Sequence, residues 1–139
     1  MSFLPVYLDA SAIVKLIIPE AETDALMTTL TAWSDRVSSV ITRVEVHRAL
    51  RRTRATPARR ARAEAVLSGL VLVRLDEPVL SRAAAFRDSD LRALDAIHLA
   101  TALSLGDDPD AFIAYDARLA RAATKQRLRL LHPGVEVLV

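Results

Sequence analysis

The sequence predicts an α/β fold, a three-layer α/β/α sandwich around a central parallel sheet of about five strands. Three observations carry that prediction. Short, almost wholly apolar runs recur along the chain, as expected of strands covered on both faces. Between them lie one or two stretches with helical periodicity, and no segment repeats at a fixed period. The 139 residues suit a single domain spanning 1–139, long enough to bury a sizeable core.

The elements follow in order. Val6–Leu8 is a short apolar strand ending in Asp9, and Ser11 stands where a helix N-cap would, ahead of Ile13, Val14, Leu16 and Ile17. Pro19 stops that helix, and residues 20–33 read as a second, with Ala21, Ala25, Leu26, Leu30 and Trp33 inward. Residues 37–41 form the next strand. Residues 42–53 follow as a helix, and Pro57 opens another through Leu67, closed by Gly69. Residues 70–75 are a strand interrupted only by Arg74, and 77–87 resume helical spacing with Val79, Leu80, Ala83 and Phe86. Ser89 or Asp90 is placed to cap a periodic helix over 91–105, ended by Gly106. Residues 111–115 are a strand, 117–126 a helix, and 135–139 a final strand after Pro133 and Gly134.

Composition removes several chemistries. There is no cysteine, so disulfides, thiolate metal sites and cysteine nucleophiles are excluded. The three histidines, His47, His98 and His132, lack any paired-ligand spacing, so a bound metal would rest on oxygen ligands, which favours Mg²⁺ or Mn²⁺. The three glycines are isolated, so no phosphate-cradling loop exists. No apolar run approaches the roughly 20 residues of a bilayer span, the opening residues lack the basic start and long apolar stretch expected of a secretory leader, and a cytoplasmic protein without a membrane is expected. Net charge is only +2, but between Arg43 and Arg62 eight arginines face a single acid, Glu45. Such a block attracts phosphates, with Arg43, Arg48, Arg51 and Arg52 as candidate RNA contacts; a solvated helical face is the alternative.

Four acids stand out. Asp9 and Asp116 each end a strand and run into a helix, so in a parallel sheet both emerge on one edge, although either alone reads equally as a helix cap. Glu45 closes a T-x-x-E capping box from Thr42, yet that first turn lies beyond the same strand edge. Asp95 shares a helical stripe with Leu91, His98 and Ala102, where a carboxylate is costly unless bonded to Arg92 or His98, or to a metal. Carboxylates gathered at one edge repel one another unless a hard divalent cation neutralises them, and such an ion activates a water for in-line attack on a phosphodiester. Ser11 is positioned to assist, besides its capping role, and His98 reads as a core or supporting histidine.

These residues resemble PIN-domain ribonucleases, in particular the small stand-alone VapC-type toxins of type II toxin–antitoxin pairs. The matching stretches are YLDASAIVKL at 7–16, SSVITRVE at 38–45, LDAIHLATA at 94–102 and YDARLARAA at 115–123, spread over nearly the whole chain. The resemblance implies a PIN-like sandwich with an Mg²⁺ or Mn²⁺ site built by Asp9, Glu45, Asp95 and Asp116, assisted by Ser11. It further implies endonucleolytic cleavage of RNA, a homodimer, and a cognate VapB-type antitoxin whose tail covers the acidic pocket while its other end binds operator DNA. One position departs from the pattern: two residues before the last acid the family commonly has Thr or Ser, and here stands Ala114. Two other readings remain beside the nuclease. One is a PIN-like module that binds RNA or a partner without cleaving. The other, a phosphotransferase using Asp9 as nucleophile, needs an acid where Ser11 stands.

Overall fold

The computed structural model describes residues 4–139. Twelve elements appear in these described residues: β1 (Val6–Leu8), α1 (Ala10–Lys15), α2 (Thr23–Leu30), β2 (Arg36–Ser39), α3 (Thr42–Arg52), α4 (Pro57–Ser68), β3 (Val71–Val73), α5 (Glu77–Ala85), α6 (Ala93–Leu103), β4 (Ala111–Ile113), α7 (Ala117–Lys125) and β5 (Leu130–Leu131). The strands form one five-stranded sheet in the order β3-β2-β1-β4-β5, and every pairing is parallel.

Strand alternation sorts the apolar side chains into two cores. Val6, Leu8, Ala111 and Ile113 point to one face, where they meet Ile13, Leu26, Leu30, Val46, Leu50 and Leu67 from α1 to α4. Tyr7, Phe112 and Ala114 point to the other, against Leu99 and Ala102 of α6 and Leu119, Ala122 and Ala123 of α7. Ala114 therefore faces this second core. Because both faces are covered, β1 and β4 are buried at every position, which is why their sequences are continuously apolar.

The strand order reverses between β1 and β4. The chain adds β2 and β3 to one side of β1, then crosses back to add β4 and β5 to the other. In such sheets a crevice opens beyond the carboxyl ends of the two strands flanking the reversal.

Several predicted elements need correction. The last strand is Leu130–Leu131, paired with Phe112 and Ile113, and residues 135–139 are not in a strand: Val137 and Val139 are exposed. The edge of the sheet is satisfied by two residues close behind α7, so the terminal apolar run has no strand left to pair with. The first helix is capped by Asp9, whose carboxylate accepts from the Ala12 N–H; Ser11 lies inside the first turn. Ser89 and Asp90 do not cap the next-to-last helix, which starts at Ala93 behind Arg92. The Asp90 carboxylate pairs instead with Arg121 of α7. The second helix is confined to Thr23–Leu30, leaving Ala21 exposed, while Trp33 beyond its end is buried and donates its indole N–H to Asp110 at 2.9 Å. Strand β2 starts at Arg36 and ends at Ser39, Leu80 of α5 is exposed, and the remaining boundaries differ by one to two residues.

Candidate active site

Asp9 follows β1 and Asp116 follows β4, and the two strand ends are stitched together. The Asp9 N–H donates to Ile113 O at 3.1 Å, and the Tyr115 N–H donates to Ser11 Oγ at 3.3 Å. Ser11 in turn donates to Asp9 Oδ1 at 2.7 Å. One hydroxyl thus ties the carboxylate of one strand end to the backbone of the other.

Glu45 reaches the same edge by a different device. In β2, Ser38 Oγ donates to Leu8 O at 2.6 Å and meets the Thr42 hydroxyl at 2.7 Å. That contact sets the start of α3, and it engages the hydroxyl on which the capping box depended. The box does not form: α3 has no side-chain cap. On α3 the spacing of 4 and 3 residues then aligns Glu45, Ala49 and Arg52 on one stripe facing the crevice, while Val46 and Leu50 turn into the core.

Asp95 stands in the first turn of α6, where its charge suits the helix N-terminus. Its partner is Arg92, at 3.4 Å. Arg92 also reaches Asp116 at 3.3 Å, and Arg118 binds Asp116 at 3.2 Å. Asp116 caps α7, accepting from the Arg118 and Leu119 N–H groups.

These acids line one crevice of about 480 Å³, together with Ser11, Lys15, Glu20, Arg52, Arg92 and Tyr115. Arg43, Arg48 and Arg51 are exposed on α3 and do not line it. Of the cations in the wall, Lys15 is engaged by Glu20 at 3.2 Å and Glu22 at 3.1 Å, and Arg92 by Asp95 and Asp116. Among the described residues, the hydrogen bonds to the Asp9 carboxylate come from neutral donors, Ser11 and the Ala12 N–H.

The electrostatics follow from this arrangement. Burial pushes the Asp9 carboxyl up to about 6, against its hydrogen bonds from Ser11 and the Ala12 N–H, with Asp95 adding repulsion. Burial also raises Asp95, with Arg92 opposing and Asp116 repelling. Burial works to raise Asp116 as well, but its bonds to the Arg118 guanidinium and to the Leu119 and Arg118 N–H groups outweigh it and hold the carboxyl below the usual range. Two acids of the site therefore lack enough positive charge, which a divalent cation would supply. The donors are carboxylates and one hydroxyl, the set a hard ion takes. Among the described residues, no three Asp, Glu or His side chains form a ready-made cage. An open crevice with a few carboxylates is the arrangement suited to Mg²⁺, which keeps several of its waters.

The sequence offered Asp95 two protein partners, and Arg92 is the one it takes; His98 goes to Glu45. Lys15, Glu20, Arg52, Tyr115 and Arg118 complete the surroundings of the acids. Of these only Arg52 was singled out by sequence, through the basic block. Tyr115 and Arg118 flank Asp116, and that adjacency was the available signal.

Comparison with known proteins bears on the whole chain. A family model described as PIN domain matches residues 6–125. The chain is 44% identical over 129 residues to Ribonuclease VapC46 of Mycobacterium tuberculosis, covering 93% of this chain and 98% of that protein. It is 39% identical over 133 residues to Ribonuclease VapC47 of the same organism, covering 93% and 97%. Among solved structures, that of VapBC2 from Rickettsia felis, bound to a DNA fragment from its promoter, superposes with a TM-score of 0.74 over 94% of this chain and 99% of that one, at 12% identity. With a matched family over most of its length and relatives well above 30% identity, this chain belongs to the PIN domain family.

Proposed function

We propose that this chain is a metal-dependent endoribonuclease, the toxin of a toxin–antitoxin pair, formed as a single nuclease domain over residues 1–139. The observation that carries the reading is the meeting of Asp9, Glu45, Asp95 and Asp116 in one crevice beyond β1 and β4. Two relatives that bear the name ribonuclease support the substrate class.

Asp9, Glu45, Asp95 and Asp116 would hold Mg²⁺ or Mn²⁺, with Ser11 supporting Asp9. When bound, the ion supplies Lewis-acid polarisation of the phosphodiester and acidifies a water for in-line attack. The chain's own residues do the rest. Asp9, hydrogen-bonded by the neutral donors Ser11 and the Ala12 N–H, would draw the ion with a charge those bonds leave unneutralised. Ser11 fixes the orientation of the Asp9 carboxylate through Oδ1. Glu45, held at one oxygen by His98, has a second oxygen to orient the attacking water or accept its proton. Arg52, in the crevice wall, and Arg43, Arg48 and Arg51, exposed along α3, would guide the RNA backbone to the acids.

The same reading includes a homodimer and a cognate VapB-type antitoxin that blocks the crevice. It places the protein in the cytoplasm; among the described residues no helix is long and apolar enough to cross a membrane. The test is sequencing of RNA ends after induced expression, wild type against Asp9→Asn. New ends at defined positions in the wild type, absent from Asp9→Asn, are expected. Identical end profiles from the two would return the chain to a binding role without cleavage.

A further inference from the structure

His98 is fully enclosed in the structure, yet its ring is bonded at both nitrogens. Nε2 lies 2.7 Å from Oε1 of Glu45, and Nδ1 lies 2.8 Å from the Tyr7 hydroxyl. Tyr7 is also fully enclosed, whereas Glu45 opens onto the crevice. A polar thread thus runs from the middle of β1, through α6, to an acid on α3.

Chemistry fixes the direction of that thread. A carboxylate oxygen only accepts, so the proton between His98 and Glu45 sits on Nε2. The Nε2–H tautomer carries a lone pair on Nδ1, which takes its hydrogen bond from Tyr7. The hydroxyls flanking the phenol, Ser38 and Thr101, have committed their protons to Leu8 O and Ile97 O, both at 2.6 Å. Burial pushes the Tyr7 phenol well above the ordinary tyrosine range, so it keeps the proton it donates. The rings are packed as well: Phe112 stacks on Tyr7 with centroids 5.2 Å apart, and His98 meets Tyr7 edge-on at 5.9 Å. The imidazole therefore has little freedom to turn.

We propose that His98 is a positioning residue for Glu45: its Nε2–H, oriented by the Tyr7 hydroxyl at Nδ1, holds one carboxylate oxygen and leaves the other for the crevice. This deepens the nuclease reading and rests on it for the activity measurement alone. A histidine kept merely for packing would serve in either tautomer and with any bonding at its tip.

Three measurements on the whole chain test the assignment. In ¹⁵N-histidine NMR without metal, the His98 proton is expected on Nε2 rather than Nδ1, and Tyr7→Phe is expected to shift its Nδ1 resonance. An Nδ1–H tautomer overturns the proposal. Calorimetric titration of Mn²⁺ without RNA, and steady-state cleavage of an RNA oligonucleotide, then compare His98→Leu with His98→Gln. Leucine fills the volume but donates nothing, whereas the glutamine amide donates from about the place of Nε2. His98→Leu is expected to weaken Mn²⁺ binding and to lower kcat by about 10- to 100-fold with KM within about twofold, and His98→Gln to recover most of both. A folded His98→Leu that matches wild type in both, or a folded His98→Gln no better than His98→Leu, overturns it. If His98→Leu does not fold, the tautomer measured in the wild type decides. Asp9→Asn run in parallel separates the two claims: wild-type cleavage by that variant removes the nuclease reading, while NMR and Mn²⁺ binding still judge the role of His98.

Discussion

The two halves of the crevice are held in different ways. Asp9 and Glu45 are gripped from the interior, by Ser11, the Ala12 N–H and the buried His98. Asp95 and Asp116 are gripped from the rim, by Arg92 and Arg118, whose side chains are 63% and 40% exposed. Interior hydrogen bonds orient a carboxylate without neutralising it, and in the enclosed setting of Asp9 the charge remains costly. Exposed arginines neutralise but hold loosely, because solvent and salt compete with them. The interior half is thus built to keep its geometry and attract a cation, while the rim half carries cations that an incoming ion or phosphate can displace.

Asp9→Asn breaks the interior half most directly. It is expected to lower RNA cleavage by at least about 100-fold, the upper end of what loss of a ligand's partner costs. In EDTA the same variant should not be less stable. The folded Asp9 carboxyl titrates near 6 against about 3.9 unfolded, so its favourable contribution is complete below pH 4 and is lost as pH rises through 6. Urea unfolding should show Asp9→Asn gaining on wild type across that window, by up to about 3 kcal/mol at pH 7.5. A variant less stable at pH 7.5 than at pH 4, relative to wild type, would contradict the burial argument.

Ser11→Ala is the next step down. Removing the hydroxyl frees Asp9 Oδ1 and cuts the tie to the Tyr115 N–H, with an expected loss of about 10-fold in cleavage. Unchanged kcat would show that the Ala12 N–H alone orients the carboxylate.

Effects at the rim should be smaller and opposite in sign for the ion. Arg92→Ala removes a cation from Asp95 and Asp116 at a stability cost of about 1 kcal/mol or less. Mn²⁺ affinity, read by calorimetry, is expected to hold or rise. A large loss would mean that Arg92 organises the acids rather than occupying them. Smallest in stability are Arg48→Ala and Arg51→Ala on the outer face of α3. If these arginines contact phosphates, the logarithmic salt dependence of RNA binding falls by about one per residue removed. An unchanged slope would assign them to solvent.

Much of the crevice was legible in the sequence. Asp9 and Asp116 close apolar strands and run into helices, so a parallel sheet puts them on one edge whatever the details. Asp95 in an apolar stripe announced a carboxylate in need of a partner. What escaped depends on contacts across the fold. The partners in the His98–Glu45 bond are 53 residues apart and those in the Tyr7–His98 bond 91, and no local pattern encodes either. The T-x-x-E box failed for the same reason: Ser38, from the preceding strand, engaged the Thr42 hydroxyl. The final strand was misplaced because residues 135–139 and the pair Leu130–Leu131 are both apolar, and only the register of β4 chooses between them.

The central claim is that the acids of this crevice share a hard divalent ion. Anomalous diffraction from crystals soaked in Mn²⁺ tests it most directly. A single strong peak between Asp9 and the carboxylates of α6 and α7, absent in Asp9→Asn crystals soaked identically, is the predicted result. Peaks confined to the outer surface, with the crevice holding water alone at saturating Mn²⁺, would contradict it.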